Sequence, residues 1–334
     1  MNTKVSQIPE IPAGLREAAA RTTLVPFIGA GASMLAGCPG WKDFADKSLR
    51  WLVDQGKFTH SQLAQISHLH PRIKLSLART IAEEQRITIP YKDILHSKEP
   101  RESPKGRRLY NALFRLGNVL VTTKYDVWLD EWIPEPTATA TPTGELATLT
   151  VVPMNVVYGP ERINSALLSQ PNTVVHLHGS VHDAKTMIMT TSDYISQYAA
   201  YNRSSRDPET ENRLLTFLQF LFRNRTVLFI GYGLEELEIL EYVLAKGLRS
   251  TGEMRHYILQ GYFSHEEALM RNMQAYYRND CGIQLLPFRR DEKDWDQLLE
   301  VIEAFADRMP ASNLLVQQQM QDMENLLHDG PHHE

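Results

Sequence analysis

Short, predominantly apolar runs recur along the chain, and each is bounded by polar residues or glycine. The clearest are 24–28, 173–177 and 225–230, which are closely followed by Gly29, Gly179 and Gly231 respectively. A continuous apolar run of this length is typical of a strand buried on both faces. The full set of predicted strands is 24–28, 118–123, 173–177, 225–230, 256–259 and 283–288.

The segments between the later strands carry apolar residues at helical spacing. The predicted helices are 212–223, 234–247, 264–277 and 294–308. Buried strands that alternate with helices indicate an α/β fold, in which a parallel sheet is covered by helices on both faces. We therefore predict a Rossmann-like, doubly wound parallel sheet with its ligand site at the carboxyl ends of the strands.

Three stretches depart from this alternation. Residues 42–118 have helical spacing and few β-rich runs, which predicts a helical insertion or cap subdomain, and residues 134–150 are a Thr-, Pro- and Ala-rich loop. Residues 312–328 place an apolar stripe among polar residues, typical of a helix that docks on its own domain or on a partner subunit. We predict one domain over 1–311, followed by a C-terminal helix and polar tail over 312–334.

Composition narrows the class of protein. The 334 residues are 43% hydrophobic and 22% charged, as in soluble globular proteins, and the net charge of -5 gives no electrostatic footprint for direct nucleic-acid binding. No apolar run is long enough to span a membrane, and no secretory signal is evident. The two cysteines, Cys38 and Cys281, cannot form a four-thiolate zinc site. We expect a cytoplasmic protein without a metal.

Two segments near the N-terminus have the composition of a ligand-binding turn. Residues 29–33 (Gly-Ala-Gly-Ala-Ser) directly follow a predicted strand, where small residues let the backbone approach a pyrophosphate. The same residues also suit a tight packing turn. Residues 37–41 (Gly-Cys-Pro-Gly-Trp) place Trp41 near that loop, although taken alone they suit a surface turn with a core tryptophan.

Three further segments lie at predicted strand ends. Lys124 and Asp126 share one face if the strand continues, either in the ligand crevice or as a salt-bridged rim pair. His178 precedes a glycine, where it is either a general base or a structural histidine. Residues 229–236 form a second strand–glycine–helix junction, and two such junctions suit a ligand with two halves, such as a dinucleotide.

Taken in order, these motifs resemble the sirtuin signature. The segments at 29–33 and 37–41 are similar to the sirtuin GAG-x-S and G-x-P-D-F-R motifs at the same spacing, and residues 123–126 fall where sirtuins carry Q-N-I-D. His178 and the following glycine match the catalytic HG, and residues 231–233 match the later glycine turn. The resemblance runs over about residues 24–290.

The chain also resembles the bacterial sirtuin-like proteins of antiphage defence, which read T-T-N-Y-D and F-I-G-Y at the third and fifth motifs. The resemblance implies an NAD⁺ glycohydrolase that depletes cellular NAD. It further implies a homo-oligomer, and a defence partner such as a HerA-type ATPase. Deacylase sirtuins carry a four-cysteine zinc module that this chain cannot build, which counts against protein deacylation.

The resemblance also implies roles for individual residues. His178 would be the general base, Asp126 would contact the nicotinamide amide, and Trp41 would close the site. The loop 29–33 would hold the pyrophosphate, and the turn at 231–236 would lie near the adenosine. The cofactor-binding residues implied are Gly29, Ala30, Gly31, Ala32, Ser33, Pro39, Trp41, Thr123, Gly231, Tyr232, Gly233 and Glu236.

Lys124 departs from the family pattern because it stands where the family has its catalytic asparagine. Cleavage of the glycosidic bond builds positive charge on the ribose, and a nearby ammonium opposes it by a few kcal/mol at an effective dielectric constant near 20. Three possibilities stay open. In the first, pairing with Asp126, or desolvation that favours the uncharged amine, reduces the effect of the charge, so that His178 still works. In the second, the chain binds NAD or ADP-ribose as a sensor without turnover. In the third, the lysine is a change that inactivates a toxic enzyme. A pure scaffold would bind no nucleotide.

Overall fold

The computed structural model describes most of the chain, with gaps at both termini and at four internal segments. The residues described are 5–96, 102–132, 152–198, 212–233 and 255–309. Four features predicted from sequence therefore lie outside the described residues: the helices 234–247 and 312–328, the loop 134–150, and Glu236.

A seven-stranded parallel sheet organises the described residues, in the order β5-β6-β2-β1-β7-β8-β9, and β3 and β4 form a separate antiparallel pair. The strands are β1 Leu24–Ile28, β2 Val119–Thr122, β3 Glu131–Trp132, β4 Val152–Pro153, β5 Asn155–Val157, β6 Thr173–His176, β7 Thr226–Ile230, β8 His256–Tyr262 and β9 Ile283–Arg289. All six predicted strands are present, which confirms the predicted fold class.

The described residues form eleven α-helices, some on the two faces of this sheet and some beyond the carboxyl ends of its strands. They are α1 Ala13–Ala20, α2 Ala30–Leu35, α3 Trp41–Asp54, α4 His60–Gln65, α5 Pro71–Glu84, α6 Tyr91–Leu95, α7 Pro104–Leu116, α8 Thr191–Tyr198, α9 Arg213–Asn224, α10 Glu267–Tyr276 and α11 Gln297–Arg308. The predicted helices 212–223, 264–277 and 294–308 correspond to α9, α10 and α11.

Alternate side chains of each strand enter opposite hydrophobic cores. In β1, Leu24 and Ile28 pack with α1, α7 and α11 on one face, which is the first core. Val25 and Phe27 pack with α9 and α10 on the other face, which is the second core. Successive side chains of a strand point to opposite faces, so a strand buried on both sides has to be apolar throughout. This is the doubly wound arrangement.

A third hydrophobic core lies beyond the carboxyl ends of the strands. It is formed by α3, α5 and α6, with Phe44, Leu49 and Leu75 among its fully buried or nearly fully buried side chains. Tyr125 and Met187, from segments that follow the strands, complete this core and join the cap to the sheet. These helices lie in the region predicted as a helical insertion.

Helix α7, the last helix within 42–118, packs with the sheet rather than with the cap. Its Leu109 and Leu113 enter the first core, and Arg108 forms two hydrogen bonds of 2.7 and 2.6 Å to Glu303 of α11. The boundaries given for the insertion and for the domain 1–311 stay predictions.

Two features of the sheet were not predicted from sequence. Strand β5 has only three residues, two of them half-buried at the sheet edge, and so lacks the apolar run on which the prediction relied. Strand β8 extends beyond residue 259 because Gln260 and Gly261 still pair with β9. None of the described helices is long and apolar enough to cross a membrane.

Candidate functional site

A cleft lies where β1, β2 and β6 end beneath the cap. Its lining residues are Ala30, Ser33, Cys38, Pro39, Trp41, Phe44, Leu95, Thr123, Lys124, Tyr125, Asp126 and His178. Ligands of open α/β sheets bind at this edge of the sheet. Eight of the residues predicted from sequence therefore meet in one cleft, although their segments are separated by up to about 150 positions along the chain.

The two glycine turns pack backbone against backbone beside this cleft. The amide of Gly31 donates to the carbonyl of Gly231 over 2.8 Å, and the amide of Gly29 donates to the carbonyl of Ile230 over 2.9 Å. A Cβ atom on Gly31 would lie 2.8 Å from the Gly231 oxygen, and Gly231 has φ of +63°. The glycines thus serve this packing, and their role at a pyrophosphate stays a prediction.

The second glycine turn does not line the cleft. The Tyr232 side chain is buried in the second core, edge-on to Phe27 with ring centroids 5.6 Å apart, and Gly233 is exposed. Glu236 lies outside the described residues. The predicted adenosine contacts at this turn stay predictions.

Lys124 and Asp126 form a buried ion pair on the cleft floor, with residue exposures of 5% and 3%. The Lys124 Nζ lies 3.3 Å from Asp126 Oδ2, which also accepts a 2.9 Å hydrogen bond from the Ser33 hydroxyl. Apart from this ion pair, Nζ has no hydrogen-bond partner within the described part of the chain. It lies 5.6 Å from the ring centroid of Tyr110.

Backbone contacts fix the segment that carries this pair. The Thr122 hydroxyl donates to the carbonyl of Ile28 over 2.8 Å and accepts from the Lys124 amide over 3.1 Å. The carbonyl of Lys124 lies 2.9 Å from Nδ1 of His176, the last residue of β6. The ends of β1, β2 and β6 together therefore hold Lys124 in place.

His178 lies two residues beyond β6 and is 3% exposed. Burial, reinforced by the charge of Arg72, lowers the pKa of its imidazole to about 3, so the ring is neutral near pH 7. Its Nε2 lies 2.7 Å from the Tyr198 hydroxyl. Tyr198 is the donor if Nε2 carries the ring's lone pair, and the hydrogen of the neutral imidazole is then on Nδ1.

Trp41 of α3, which lines the cleft, continues into a row of stacked tyrosines from α8 that packs against His178. Trp41 stacks on Tyr194 at a centroid distance of 5.9 Å, and Tyr194 stacks on Tyr198 at 5.8 Å. The guanidinium of Arg72 lies 3.7 Å from the centre of the Tyr194 ring. Trp41 was predicted from sequence to lie here, whereas Arg72, Tyr194 and Tyr198 were not. The only sequence signal for the two tyrosines is their four-residue spacing on α8.

A second buried network lies behind the floor. His176 Nε2 is 2.7 Å from Asp130 Oδ1, and Nε2 of His182 is 3.0 Å from Asp130 Oδ2. Burial opposes ionisation of Asp130, but the charge of His176 and the hydrogen bonds from both histidines outweigh it and lower the carboxyl pKa to about 2. Burial likewise opposes a charge on His176, yet Asp130 outweighs it and the imidazole pKa is raised.

No group of histidine, cysteine, aspartate and glutamate side chains suited to holding a metal ion occurs within the described ranges. Cys38 and Cys281 are both buried and unpaired thiols. Burial, with the nearby Asp126 charge, raises the pKa of the Cys38 thiol, which makes this cleft-lining cysteine a poor nucleophile.

The parallel sheet, the glycine turn after β1 and the cleft at the strand ends define a Rossmann-type α/β domain. A family model described as the SIR2-like domain matches residues 118–286, just over half of the chain. The chain belongs to the SIR2-like domain family. Membership implies NAD binding and an NAD-related function, and the family includes NAD-using enzymes. No curated protein matches the chain.

Proposed function

We propose that the chain binds NAD⁺ in this cleft and hydrolyses its nicotinamide–ribose bond. Nicotinamide leaves, water adds to the anomeric carbon of the ribose, and ADP-ribose is released with a proton. The observation that carries this proposal is His178, a buried and neutral imidazole in the same cleft as Ser33 and Asp126. A neutral imidazole has a lone pair with which to accept that proton.

Access to this lone pair requires a small rearrangement. A ribose hydroxyl or the attacking water has to replace the Tyr198 hydroxyl at Nε2 of His178, to which it is hydrogen-bonded over 2.7 Å. Ligand binding that displaces Tyr198 also admits polar groups beside the ring, which reduces the desolvation that lowers the pKa of His178. His178 thereby becomes a stronger base when the substrate is bound.

In this proposal, the ion pair with Asp126 allows the enzyme to work with a lysine at position 124. An unpaired ammonium about 4 Å from developing positive charge costs about 4 kcal/mol at an effective dielectric constant of 20. The Asp126 carboxylate, 3.3 Å from Nζ, attracts the same developing charge and offsets much of that cost. The remaining repulsion slows hydrolysis, so Lys124→Asn accelerates it.

A second candidate function is NAD⁺ or ADP-ribose binding without turnover. It is favoured by the pKa of about 3 for His178, since a base works best when its pKa is near the operating pH. It is also favoured by the Lys124 ammonium on the cleft floor. Tight NAD⁺ binding without nicotinamide release would distinguish this function from hydrolysis.

The biological role that we propose is antiphage defence, on the strength of the sirtuin-like motifs. Uncontrolled hydrolysis of NAD⁺ would stop the metabolism of the cell, so such an enzyme suits a response that sacrifices an infected cell. Assembly into a homo-oligomer, and action with a defence partner such as a HerA-type ATPase, are parts of the same proposal.

Nicotinamide release from NAD⁺ tests the proposal, with the parent compared with Lys124→Asn and His178→Ala. His256→Ala is the matched control, because His256 is also buried with a lowered pKa but lies in β8, away from the cleft lining. We expect His178→Ala to lower the rate at least 100-fold, as loss of a general base does, and Lys124→Asn to raise it.

The outcomes separate the candidates. Release that is unchanged in His178→Ala would contradict our mechanism, and stoichiometric binding with silent parent and Lys124→Asn proteins would favour the sensor. Protein deacylation would instead require an acyl-lysine peptide to accelerate nicotinamide release. Absence of nucleotide binding in every variant would leave a scaffold role.

A further inference from the structure

Behind the cleft floor, the side chain of His176 has an acceptor at each ring nitrogen. Nδ1 lies 2.9 Å from the carbonyl oxygen of Lys124, and Nε2 lies 2.7 Å from Asp130 Oδ1. A carbonyl oxygen only accepts hydrogen bonds, and so does an ionised carboxylate. Both ring nitrogens therefore carry hydrogen, and His176 is an imidazolium buried with no exposed surface.

The second oxygen of Asp130 continues this network toward the surface. It accepts from Nε2 of His182 over 3.0 Å, and the His182 side chain is 42% exposed. The other charged residues near His176 lie on the segment after β2: Lys124, whose carbonyl the ring contacts, and Asp126, whose charge acts on the ring. A continuous polar path thus runs from solvent to the peptide that carries the cleft-floor ion pair.

The backbone of Lys124 is held on both sides. The Lys124 amide is held by the Thr122 hydroxyl, and the Lys124 carbonyl is held by His176. The held carbonyl belongs to the peptide unit that joins Lys124 to Tyr125, which lies between the Lys124 and Asp126 side chains along the chain. Its orientation therefore influences where the carboxylate meets Nζ. Without the proton on Nδ1, His176 would present a lone pair to a carbonyl oxygen, and the two would repel each other.

We propose that His176, Asp130 and His182 form a positioning network that fixes Lys124–Asp126 for nucleotide binding and makes that binding depend on the protonation of His176. Its nucleotide readout rests on the proposed function. The three residues do not line the cleft, so they act through the segment that they hold. Nucleotide affinity falls by up to tenfold per pH unit once the pH exceeds the titration point of the His176 ring, since only the protonated fraction is competent.

The charge of His176 can be tested without a nucleotide. ¹⁵N NMR of histidine-labelled protein is expected to show both ring nitrogens of His176 protonated at pH 7, with His178 and His256 neutral. The His176 signals are assigned by their loss in His176→Gln. Observation of a neutral His176 ring at pH 7 would overturn the proposal.

The positioning role is tested by NAD⁺ affinity and amide hydrogen exchange between pH 6 and 9. Asp130→Asn is expected to move the alkaline loss of affinity to lower pH and to speed exchange at the Lys124 amide, because His176 loses its counter-charge. His265→Gln, a replacement of an exposed histidine far from the network, is the control and should match the parent. Affinity that stays constant while NMR shows His176 deprotonating would overturn the proposal.

Removing one partner of a buried pair can prevent folding, so a second variant is needed. The double variant His176→Gln, Asp130→Asn removes both charges together and is expected to fold, with no alkaline loss of affinity over this range. A loss that persists in the double variant would overturn the proposal. If the parent binds no NAD⁺ at any pH, the proposed function fails, and amide exchange at Lys124 in the parent and Asp130→Asn still decides the positioning role.

Discussion

Lys124 is held in the cleft by the opposite charge of Asp126 and by the ring of Tyr110, and within the described residues its ammonium has no hydrogen-bond partner beyond this ion pair. Asp126 neutralises it at 3.3 Å, and the carboxylate itself is fixed by the Ser33 hydroxyl and by the Trp128 amide. Burying such a pair costs desolvation of both charges, which their attraction repays only in part. Because such a pair adds little net stability, we infer that it serves the function of the site rather than the stability of the fold.

The residue that competes with the substrate for His178 is Tyr198. Tyr198→Phe removes the hydroxyl from Nε2 of His178 while the ring can keep its stacking on Tyr194. Displacement of a hydrogen bond of this kind costs about 1 kcal/mol, so we expect kcat/KM for NAD⁺ hydrolysis to rise about fivefold. The measurement is the initial rate of nicotinamide release at low NAD⁺.

Tyr277→Phe is the control for this prediction, since it also removes a hydrogen-bonded tyrosine hydroxyl, but one that contacts Gln260 rather than His178. A fall in kcat/KM in Tyr198→Phe would mean instead that the hydroxyl takes part in binding or proton transfer. That result would make Tyr198 a catalytic residue and would contradict a purely competitive role.

Individual site residues were predictable from sequence to the extent that they sit at strand ends. Lys124, Asp126 and His178 immediately follow apolar runs, and the structure brings them into one cleft. The pairing of Lys124 with Asp126, which the sequence allows but does not require, is observed. Tyr110 and Asp130 carried no local signal, because each meets its partner through contacts across more than forty residues.

The two glycine turns act as one structural element. A Cβ atom on Gly231 would lie 2.3 Å from the amide nitrogen of Ala32, and its φ of +63° is strained for any other residue. Gly56 has nearly the same φ, +66°, but open space around it. Comparison of the two positions therefore separates backbone strain from the close approach of the turns.

We expect Gly56→Ala to lower the free energy of unfolding by about 1 kcal/mol, from the left-handed backbone alone. Gly231→Ala should lower it by at least about 3 kcal/mol, because the clash with Ala32 adds the cost of separating the turns. Urea unfolding followed by circular dichroism measures both. Equal losses in the two variants would mean that the contact between the turns is unimportant for stability.

Helix α8 is an element that the local sequence pattern did not predict. Its Asp193 accepts from the amides of Met189 and Thr190 and pairs with Arg79 of α5 at 2.8 Å, which joins the cap to the segment after β6. The eight-residue helix is short and mostly exposed, so it has little apolar periodicity. Its position depends on a partner more than a hundred residues away.

At the scale of the whole molecule, acid stability depends on buried neutral histidines, of which the described residues include His178 and His256. Burial lowers the pKa of His178 to about 3 and that of His256 to about 4, against an ordinary value of 6.5. Below pH 6.5 these histidines bind protons in the unfolded chain but stay neutral in the folded chain, so the free energy of unfolding falls as the pH falls. At pH 5 each histidine lowers the free energy of unfolding by about 2 kcal/mol relative to neutral pH.

Replacement of one of these histidines by a residue that does not titrate tests this account. In His256→Gln, the loss of unfolding free energy between pH 7 and pH 5 should shrink by about 2 kcal/mol relative to the parent, measured by urea unfolding at both pH values. The exposed His265→Gln should leave the loss unchanged. An equal loss in His256→Gln and the parent would show that His256 is protonated in the folded state.

The overall fold was more predictable than the arrangement around the site. Strands buried on both faces need continuous apolar runs, and β1, β2, β6, β7, β8 and β9 all have them. The position of α7 was harder to foresee, because its apolar face fits either the cap or the sheet until the sheet is assembled. Cap contacts and the His176 network depend on long-range packing that a local pattern does not encode.

The most direct test of the central claim is whether NAD⁺ binds in this particular cleft. Calorimetric titration of the parent should give stoichiometric binding, and Ala30→Phe should abolish it by filling the cleft. Met34→Phe, on the exposed side of the same helix, should bind like the parent. Undiminished binding in a folded Ala30→Phe protein would contradict the account, as would the absence of NAD⁺ binding in the parent.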